Sequence, residues 1–422
     1  MTCLMKSLSR ALRRGFPTRA CAVCAVTAAF AVLCASLPSP VSAARSWVLS
    51  PDGTGDAPTI QAAMDSAQAG DAVILEGGTY YEHDIELKSG VLLTSVTGQP
   101  DCAVIDAERD GRVLSGRDLA AGTRVTGITL KNGRAVGVED GYGGLLCYGN
   151  GVYLWKSSLS ISNCIFLDNY IQFSTGPEIS NGGAIYAEAC VLTLTDCEFS
   201  GNTAQWGGGV WCLESSVSLS GCRFHDNMAW TAGGLYIGAS TLQMTGCLFT
   251  RNQSLGAGGA LWVDGTLETC TIDNCTFSAN DSEWGIAAGI WWACDECMLT
   301  VLRTIIAFST HGNAVTCNGP GNILFECCDI YGNAGGDWVG EIADQYGVNG
   351  NISGDPLFCD PEQSDFTLDA DSPCAPFSPP NPECDLIGSE SVACGGPTAC
   401  EDEHGRETTW GGMKALFRGD AK

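Results

Sequence analysis

The sequence predicts an all-β protein: a right-handed, single-stranded parallel β-helix with three short strands per turn and an N-terminal capping helix. Three observations favour this fold. A motif with the order apolar, apolar, Cys, Phe and Asn occurs five times, as in LTLTDCEFSGN (192–202) and VSLSGCRFHDN (217–227). The step between copies is 25 to 33 residues, and a short strand-like segment precedes each copy. A fixed short period over several copies indicates stacked repeats.

Each copy of the motif predicts two strands. Leu192 and Leu194 alternate with polar residues, as in a strand with one inward face, while Cys197 and Phe199 mark a second strand. The two residues between the strands end in Asn, Asp or Gly, which tolerate a left-handed bend. Because like residues lie over like in stacked turns, we expect continuous ladders in the molecule.

Two kinds of ladder follow from this stacking. Cys and Phe fill the core, since a buried free Cys behaves as a small apolar residue, and stacked Asn side chains bond along the turns. The predicted core ladder consists of Cys164, Cys197, Cys222, Cys247, Cys275, Phe166, Phe199, Phe224, Phe249 and Phe277. The predicted turn ladder consists of Asn169, Asn202, Asn227, Asn252 and Asn280.

A third strand precedes each motif, for example VWCL (210–213) and ALWV (260–263). Alternation assigns one parity of these strands to the core and the other to the outside. The outward parity carries an aromatic residue in each of six turns, and two acidic residues follow on the same face. These candidate ligand-binding residues are Tyr153, Tyr186, Trp211, Tyr236, Trp262, Trp291, Glu188 and Asp264.

This outward aromatic stripe has two interpretations. Aromatic faces stack on sugar rings or extended peptides, and carboxylates bond hydroxyl groups or help to hold Ca²⁺. Alternatively, the stacked rings only stabilise the sheet, or loops cover them. A reversed parity would place the rings in the core.

A leucine-rich repeat is the rival fold, because LTLTDCEF fits its core pattern and the period is suitable. That fold needs a helical or 3₁₀ return segment with spaced leucines. Here the return consists of Gly-Gly, an aromatic residue and β-forming residues, which favours the β-helix.

The ends of the chain predict different segments. Residues 1–43 carry five basic residues and no acid, then an apolar run and small residues, as in a secretory signal peptide; a retained membrane anchor is the alternative. Residues 44–120 form the N-terminal cap and first rungs, with a short helix, a turn and a strand within 57–82. Residues 121–350 form regular rungs, 351–400 a closing rung and Cys-rich loops, and 401–422 a tail that is either a sorting segment or a solvated end.

The charge of the chain limits its partners. A net charge of −27 disfavours nucleic acid and anionic membranes, and beyond residue 43 no apolar run is long enough to span a membrane. The composition suits cations, including Ca²⁺, which is the only cofactor it suggests, or neutral polymers. Acidity also keeps a sheet-rich protein soluble. The sequence indicates no oligomeric state.

The cysteines predict disulfides rather than metal sites. An exported chain with many Cys residues is expected to form disulfides, here among Cys359, Cys374, Cys384, Cys394 and Cys400 near the C-terminus. Cys294 and Cys297 form one CxxC pair without the second pair or His cluster that a zinc site needs. We assign no catalytic residue and no metal ligand from the sequence.

Two parts of the sequence resemble known families. TIQAAMDSAQAGDAVILEGGTYYE (59–82) resembles the N-terminal cap of pectin-lyase-like β-helix proteins. GGAI (182–185), GGLY (233–236) and GGAL (258–261), with FxxN starting at Phe166, Phe199, Phe224, Phe249 and Phe277, resemble the repeats of chlamydia-type polymorphic outer membrane proteins. The second resemblance implies adhesion at a cell surface, although those proteins carry a membrane barrel for which this chain has no room.

These observations lead to three functional hypotheses. The first is a secreted or cell-surface, outer-membrane-associated protein of bacterial type that binds a glycan or surface polymer along the stripe without catalysis. The second is a carbohydrate-active enzyme, a polysaccharide lyase or glycoside hydrolase, on the same face. Arg223 and Arg251 are expected to point outward, but the sequence shows no carboxylate cluster beside them. The third is a structural envelope protein.

Overall fold

The computed structural model describes residues 44–139, 145–171, 178–266, 269–295, 297–319 and 322–395. The predicted signal peptide (1–43) and tail (401–422) lie outside these residues, as does Cys400. Within the described part of the chain, no helix combines the length and apolar character needed to cross a membrane.

The described chain coils as a right-handed parallel β-solenoid, as the sequence predicts. In a regular turn it passes through four sheets, here named A, B, D and C in that order. Sheet A has eleven parallel strands: β1 (Ser46–Leu49), β2 (Ala72–Leu75), β5 (Leu92–Ser95), β8 (Arg124–Thr126), β13 (Ser158–Ser162), β17 (Val191–Thr195), β21 (Ser216–Ser220), β25 (Thr241–Thr245), β29 (Thr269–Asp273), β33 (Met298–Leu302) and β36 (Asn322–Glu326).

Sheets B and C complete the three main walls of the solenoid. Sheet B contains β3 (Gly78–Tyr80), β6 (Ala103–Asp106), β9 (Thr129–Lys131), β14 (Ile165–Leu167), β18 (Glu198–Ser200), β22 (Arg223–His225), β26 (Leu248–Thr250), β30 (Thr276–Ser278), β34 (Ile305–Ala307) and β37 (Asp329–Tyr331). Sheet C contains β4 (Ile85–Glu86), β7 (Leu114–Arg117), β12 (Val152–Trp155), β16 (Ile185–Glu188), β20 (Val210–Leu213), β24 (Leu235–Gly238), β28 (Leu261–Thr266), β32 (Ile290–Asp295) and β35 (Val315–Cys317).

Sheet D is a fourth, seven-stranded sheet that the sequence analysis did not anticipate. It contains β10 (Val138–Glu139), β11 (Leu145–Tyr148), β15 (Glu178–Asn181), β19 (Thr203–Trp206), β23 (Met228–Thr231), β27 (Gln253–Ser254) and β31 (Asp281–Ser282). All its pairings are parallel except β10 with β11. The regular turns therefore have a strand between the Asn ladder and sheet C.

The bend between sheets A and B depends on left-handed residues. The residue before each ladder Cys has a positive φ of 47° to 62°; these residues are Asn163, Asp196, Gly221, Gly246 and Asn274. Asn, Asp and Gly adopt this conformation at low cost. The bend brings the next Cys and Phe back into the core.

The Cys and Phe ladders fill that core. All ten predicted ladder residues are at most 1% exposed, and successive Phe rings stack with centroids 4.4 to 4.9 Å apart. The Cys197 thiol donates to the Thr195 carbonyl. Burial raises the pKa of the Cys164 thiol to about 12, so this ladder acts as apolar filling.

The Asn ladder follows the turn after sheet B. Each side-chain nitrogen donates to the side-chain oxygen of the Asn in the next turn, at 2.9 to 3.0 Å, from Asn169 to Asn280. The same nitrogen of Asn202 also donates to the Phe166 carbonyl. Such chains of hydrogen bonds satisfy amides that are otherwise costly to bury.

Each end of the core is covered. The helix α1 (Ile60–Ser66) is only seven residues long; Thr59 caps it and Ile60, Ala63 and Met64 are buried. At the far end lies a 3₁₀ helix (Gly340–Gln345). There the Gln345 side chain accepts from the Phe325 N–H and donates to the Ile323 carbonyl, so it satisfies the open edge of sheet A.

The C-terminal segment folds back over the outer face of sheet B. It contains β38 (Phe358–Asp360), a 3₁₀ helix (Pro361–Gln363), β39 (Asp365–Asp369) and β40 (Val392–Cys394). Disulfides join Cys327 to Cys384 and Cys359 to Cys394, and a third joins Cys294 to Cys297. Disulfides near the C-terminus were predicted. However, Cys374 is an unpaired thiol, and the partner Cys327 was not foreseen.

Candidate functional site

The predicted aromatic stripe lies on the outer face of sheet C. Strand register places its six rings over one another in consecutive turns: Tyr153, Tyr186, Trp211, Tyr236, Trp262 and Trp291. The rings stack with centroids 4.6 to 6.4 Å apart and interplanar angles of 8° to 14°. The alternate residues, such as Val210 and Cys212, are fully buried in the core.

The middle of the stripe is covered rather than exposed. Tyr186, Trp211 and Tyr236 are 3%, 6% and 5% exposed and form a small apolar cluster separate from the main core. Only Tyr153, Trp262 and Trp291, towards its two ends, are partly accessible. A ligand can therefore stack on the ends of the stripe but not along its whole length.

Sheet D causes this burial because it lies against the stripe. The Tyr148 ring at the end of β11 stacks on Tyr186 at 4.6 Å, and the Trp206 ring at the end of β19 lies 5.7 Å from Tyr236. The turn from D to C is tight: Gly207 has φ +64°, and a Cβ there would lie 2.9 Å from the Trp211 Cβ. The short Gly turns thus bring the end of sheet D onto the rings.

The two predicted carboxylates are bonded to the stripe itself. The Tyr186 hydroxyl donates to Glu188 at 2.5 Å, while Asp264 accepts from the Tyr236 hydroxyl at 2.8 Å and the Trp262 indole at 3.0 Å. Burial, together with the bond to Glu188, raises the pKa of the Tyr186 phenol well above its usual range. Both carboxylates therefore help to orient the rings.

Glu188 and Asp264 cannot act together on one bond. Register aligns Glu188 with Leu213, then Gly238, then Asp264, so three strand spacings of about 4.8 Å, roughly 14 Å in all, separate them. Paired carboxylates of glycosidases lie about 5 to 9.5 Å apart. These two residues do not form such a pair.

The most exposed tryptophans among the described residues were missed from the sequence. Trp206, Trp230 and Trp284 are 39%, 44% and 61% exposed and lie at or just after strands of sheet D. The Trp230 and Trp284 rings meet edge to face at 5.7 Å. The sequence feature that could have identified them is a Trp shortly before a Gly- and Ala-rich turn, as in QWGGG (205–209) and AWTAGG (229–234). We name these three residues the rim.

Three polar atoms beside the stripe have no hydrogen-bond partner among the described residues. They are the indole nitrogens of Trp211 and Trp291 and the hydroxyl of Thr316, and Thr316 is the register neighbour of Trp291. An indole N–H usually finds an acceptor when it is buried. The Trp291 end of the stripe thus combines a partly accessible ring with unsatisfied polar groups.

Sheet B carries a separate cluster of charges, which corrects the expectation for Arg223 and Arg251. Arg251 binds Asp226 through two bonds of 2.9 and 3.0 Å, and Arg223 pairs with Glu390 of the C-terminal segment. His225 lies between Glu198 and Asp226, and its hydrogen bond to Glu198 raises its pKa. The sequence did not show these partners because Glu390 is distant along the chain and Asp226 belongs to another turn.

In the described ranges, no group of three or more His, Cys, Asp or Glu side chains is placed to hold a metal ion. The Ca²⁺ suggested by the composition therefore has no assigned ligands here. Glu188 and Asp264, the two carboxylates proposed from the sequence, are each hydrogen-bonded to aromatic side chains of the stripe.

Comparison with known proteins supports the fold. Residues 121–291 match the family described as the right-handed β-helix region. No curated protein matches the sequence. The matches give no evidence for chlamydia-type polymorphic outer membrane protein repeats.

The solved structures that match the chain are remote in sequence. A pectate lyase, Pel9A, is 11% identical, with 84% of this chain and 97% of that chain covered and a TM-score of 0.47. A pectin methylesterase from Aspergillus niger is 14% identical, with 75% and 92% covered and a TM-score of 0.34. The A-module of the Azotobacter vinelandii mannuronan C-5 epimerase AlgE4 is 13% identical, with 66% and 84% covered and a TM-score of 0.30.

Proposed function

We propose that this protein is a secreted or cell-surface β-helix that binds a glycan or related surface polymer without catalysis. The observation that carries the proposal is the set of three exposed indoles of the rim, of which Trp206 contacts the continuous stack of aromatic rings at Tyr236. Exposed Trp faces provide contact area for sugar rings at a low cost in conformational entropy. The rim and the accessible ends of the stripe, Tyr153, Trp262 and Trp291, form the proposed surface.

The buried centre of the stripe supports a second candidate, a structural envelope protein. In that function the rings of Tyr186, Trp211 and Tyr236 only fill the angle between sheets C and D. The rim distinguishes the two functions, because a purely structural role gives no reason for three exposed tryptophans on or just after strands of the same sheet. If the protein is purely structural, replacing the rim tryptophans would change neither binding nor stability appreciably.

The test is a binding assay of the purified protein on a panel of neutral and charged glycans, with and without Ca²⁺. Trp206→Ala/Trp284→Ala is expected to weaken binding at least tenfold, since each stacked ring contributes about 1 kcal/mol. Tyr81→Ala is the control, because Tyr81 is an aromatic residue at least as exposed as Trp206 and Trp284 and far from the rim in sequence. Trp211→Ala tests the buried stripe and should lower thermal stability first.

Release of reducing or unsaturated sugar ends is measured in the same samples. Product release that depends on the protein would replace the binding proposal with an enzyme. If neither the wild type nor Tyr81→Ala binds any glycan, the structural candidate is favoured.

A further inference from the structure

Basic residues are concentrated in one part of this acidic chain. Seven of the 21 Lys and Arg residues lie between positions 109 and 156, whereas positions 157 to 302 contain only Arg223 and Arg251. The topology places several of the seven at the N-terminal end of the aromatic stripe, on or beside β7 and β12 of sheet C. The stripe thus begins at a local positive region of a molecule with a net charge of −27.

Two of these cations are held against aromatic rings on the outer face of sheet C. Arg117 is the register neighbour of Trp155, and its guanidinium carbon lies 4.9 Å from the Tyr153 ring centroid and 5.9 Å from that of Trp155. The Lys156 ammonium lies 4.2 Å from the Trp155 centroid. Attraction between a cation and an aromatic face orients both side chains.

Both cations are exposed, and neither forms an ion pair with a carboxylate in the described part of the chain. Other basic residues of the region are engaged: Lys131 pairs with Asp106 at 3.1 Å, and Arg112 donates to the carbonyls of Tyr148 and Gly149. The carboxylate next to Trp155 in register, Glu188, accepts from Tyr186. Arg117 and Lys156 therefore retain their charge for a ligand.

We propose that Arg117, Trp155 and Lys156, named the basic end, bind an anionic substituent of the glycan, a carboxylate or a sulfate. This inference rests on the proposed function, since the sugar chain would lie along the accessible edges of Tyr153 and Trp155 while the two cations face its charged group. Guanidinium and ammonium groups are the side chains that proteins use for such anions. The acidic remainder of the surface repels the polymer elsewhere, so the basic end fixes where binding starts.

The experiment compares polymers that share one backbone and differ in charge. Hydroxyethyl cellulose, carboxymethyl cellulose and cellulose sulfate form one set, and dextran, carboxymethyl dextran and dextran sulfate form another. Binding to the wild type is compared with Arg117→Gln and Lys156→Gln. Arg124→Gln is the matched control, because Arg124 is an exposed cation on sheet A without an ion pair among the described residues.

The expected result is that a charged polymer of at least one set binds more tightly than its neutral counterpart. Each basic-end variant then weakens that binding about two- to fivefold, as for exposed ion pairs, and weakens binding of the neutral polymer by a smaller factor. Raising the salt concentration should weaken wild-type binding more than that of the variants. The carboxylated and sulfated arms identify which anion is preferred.

Two outcomes would overturn the proposal. In the first, no anionic polymer binds better than its neutral counterpart. In the second, Arg124→Gln loses as much affinity as the basic-end variants, which would indicate a nonspecific effect of net charge. The proposed function fails separately, when the rim variant Trp206→Ala/Trp284→Ala binds every polymer as the wild type does.

Discussion

At the scale of single residues, Asp329 is the most unusual ionisable group outside the aromatic surface. Its side chain is fully buried between the last turn of sheet B and the C-terminal segment. The Gly354 N–H and the Cys374 thiol donate to its two oxygens at 3.0 and 3.1 Å. Burial, with the nearby charges of Asp337 and Asp355, raises the pKa of Asp329 to about 7.

This raised pKa predicts a loss of stability with rising pH. The unfolded chain has an Asp pKa of about 3.9, so between about pH 4 and 7 the folded state binds the proton that the unfolded state has released. The contribution of Asp329 to stability is full below about pH 4 and falls by about 2–4 kcal/mol as the pH rises from about 4 to 7. Urea unfolding from pH 4 to 8 measures this, and Asp329→Asn should flatten the profile.

Asp101→Asn is the control for that profile, because Asp101 is exposed. It should keep the wild-type dependence of unfolding free energy on pH. An equal slope for Asp329→Asn and the wild type would show that another group titrates in this range.

At the scale of elements, the Asn ladder joins successive turns through side-chain hydrogen bonds between residues 25 to 33 positions apart. The Asn227 side chain donates to the Phe199 carbonyl and to Asn252, and it accepts from the backbone and side chain of Asn202. Its side chain is fully buried. One amide therefore satisfies groups in three successive turns.

Asn227→Ala should cost about 2–4 kcal/mol of unfolding free energy, since it leaves buried partners unsatisfied. Chemical denaturation measures the loss. Ser218→Ala, on the exposed face of sheet A, should change stability by less than about 0.5 kcal/mol.

A double-mutant cycle with Asn202→Ala tests whether the ladder acts as a unit. Neighbours in one hydrogen-bond network couple by about 0.5–3 kcal/mol. Strictly additive losses for Asn202 and Asn227 would contradict a cooperative ladder.

At the scale of the whole molecule, the C-terminal segment is an accessory layer on sheet B. The Cys327–Cys384 disulfide spans 57 residues, and Ile387 and Leu368 pack with Ile305 of β34. Beyond the disulfide, Asn274 donates to the Leu386 carbonyl, and Arg223 pairs with Glu390. The segment is therefore held by one covalent link and by contacts with the turns that contain Arg223, Asn274 and Ile305.

Cys327→Ser/Cys384→Ser should release this layer before the solenoid unfolds. Closing a loop of this length stabilises a fold by about 4 kcal/mol, so limited proteolysis should cut between residues 353 and 390 much faster than in the wild type. Cys102→Ser, which removes a partly exposed thiol outside any disulfide, should leave the cleavage rate unchanged. Equal cleavage of both variants would show that contacts alone hold the segment.

The sequence by itself determined the solenoid, its period and its ladders. Period-two alternation and a repeated Cys, Phe and Asn can be read from one chain because stacking places like residues together, and the left-handed bend before each Cys follows from local residue preference. The inward parity of Val210 and the outward parity of Trp211 follow from the same alternation. These are properties of neighbours in one turn or of equivalent positions in the next.

Only the tertiary structure decided which aromatic surface is accessible. Sheet D and its Gly turns bury Trp211 and leave Trp206, Trp230 and Trp284 exposed, because the angle between two sheets depends on contacts that no single strand encodes. The same holds for three other features: Arg223 pairs with Glu390, Asp329 is buried, and Arg117 and Lys156 form no ion pair among the described residues. Each of these depends on distances between remote parts of the chain. Burial and electrostatics depend on such distances, and a sequence pattern specifies only order along the chain.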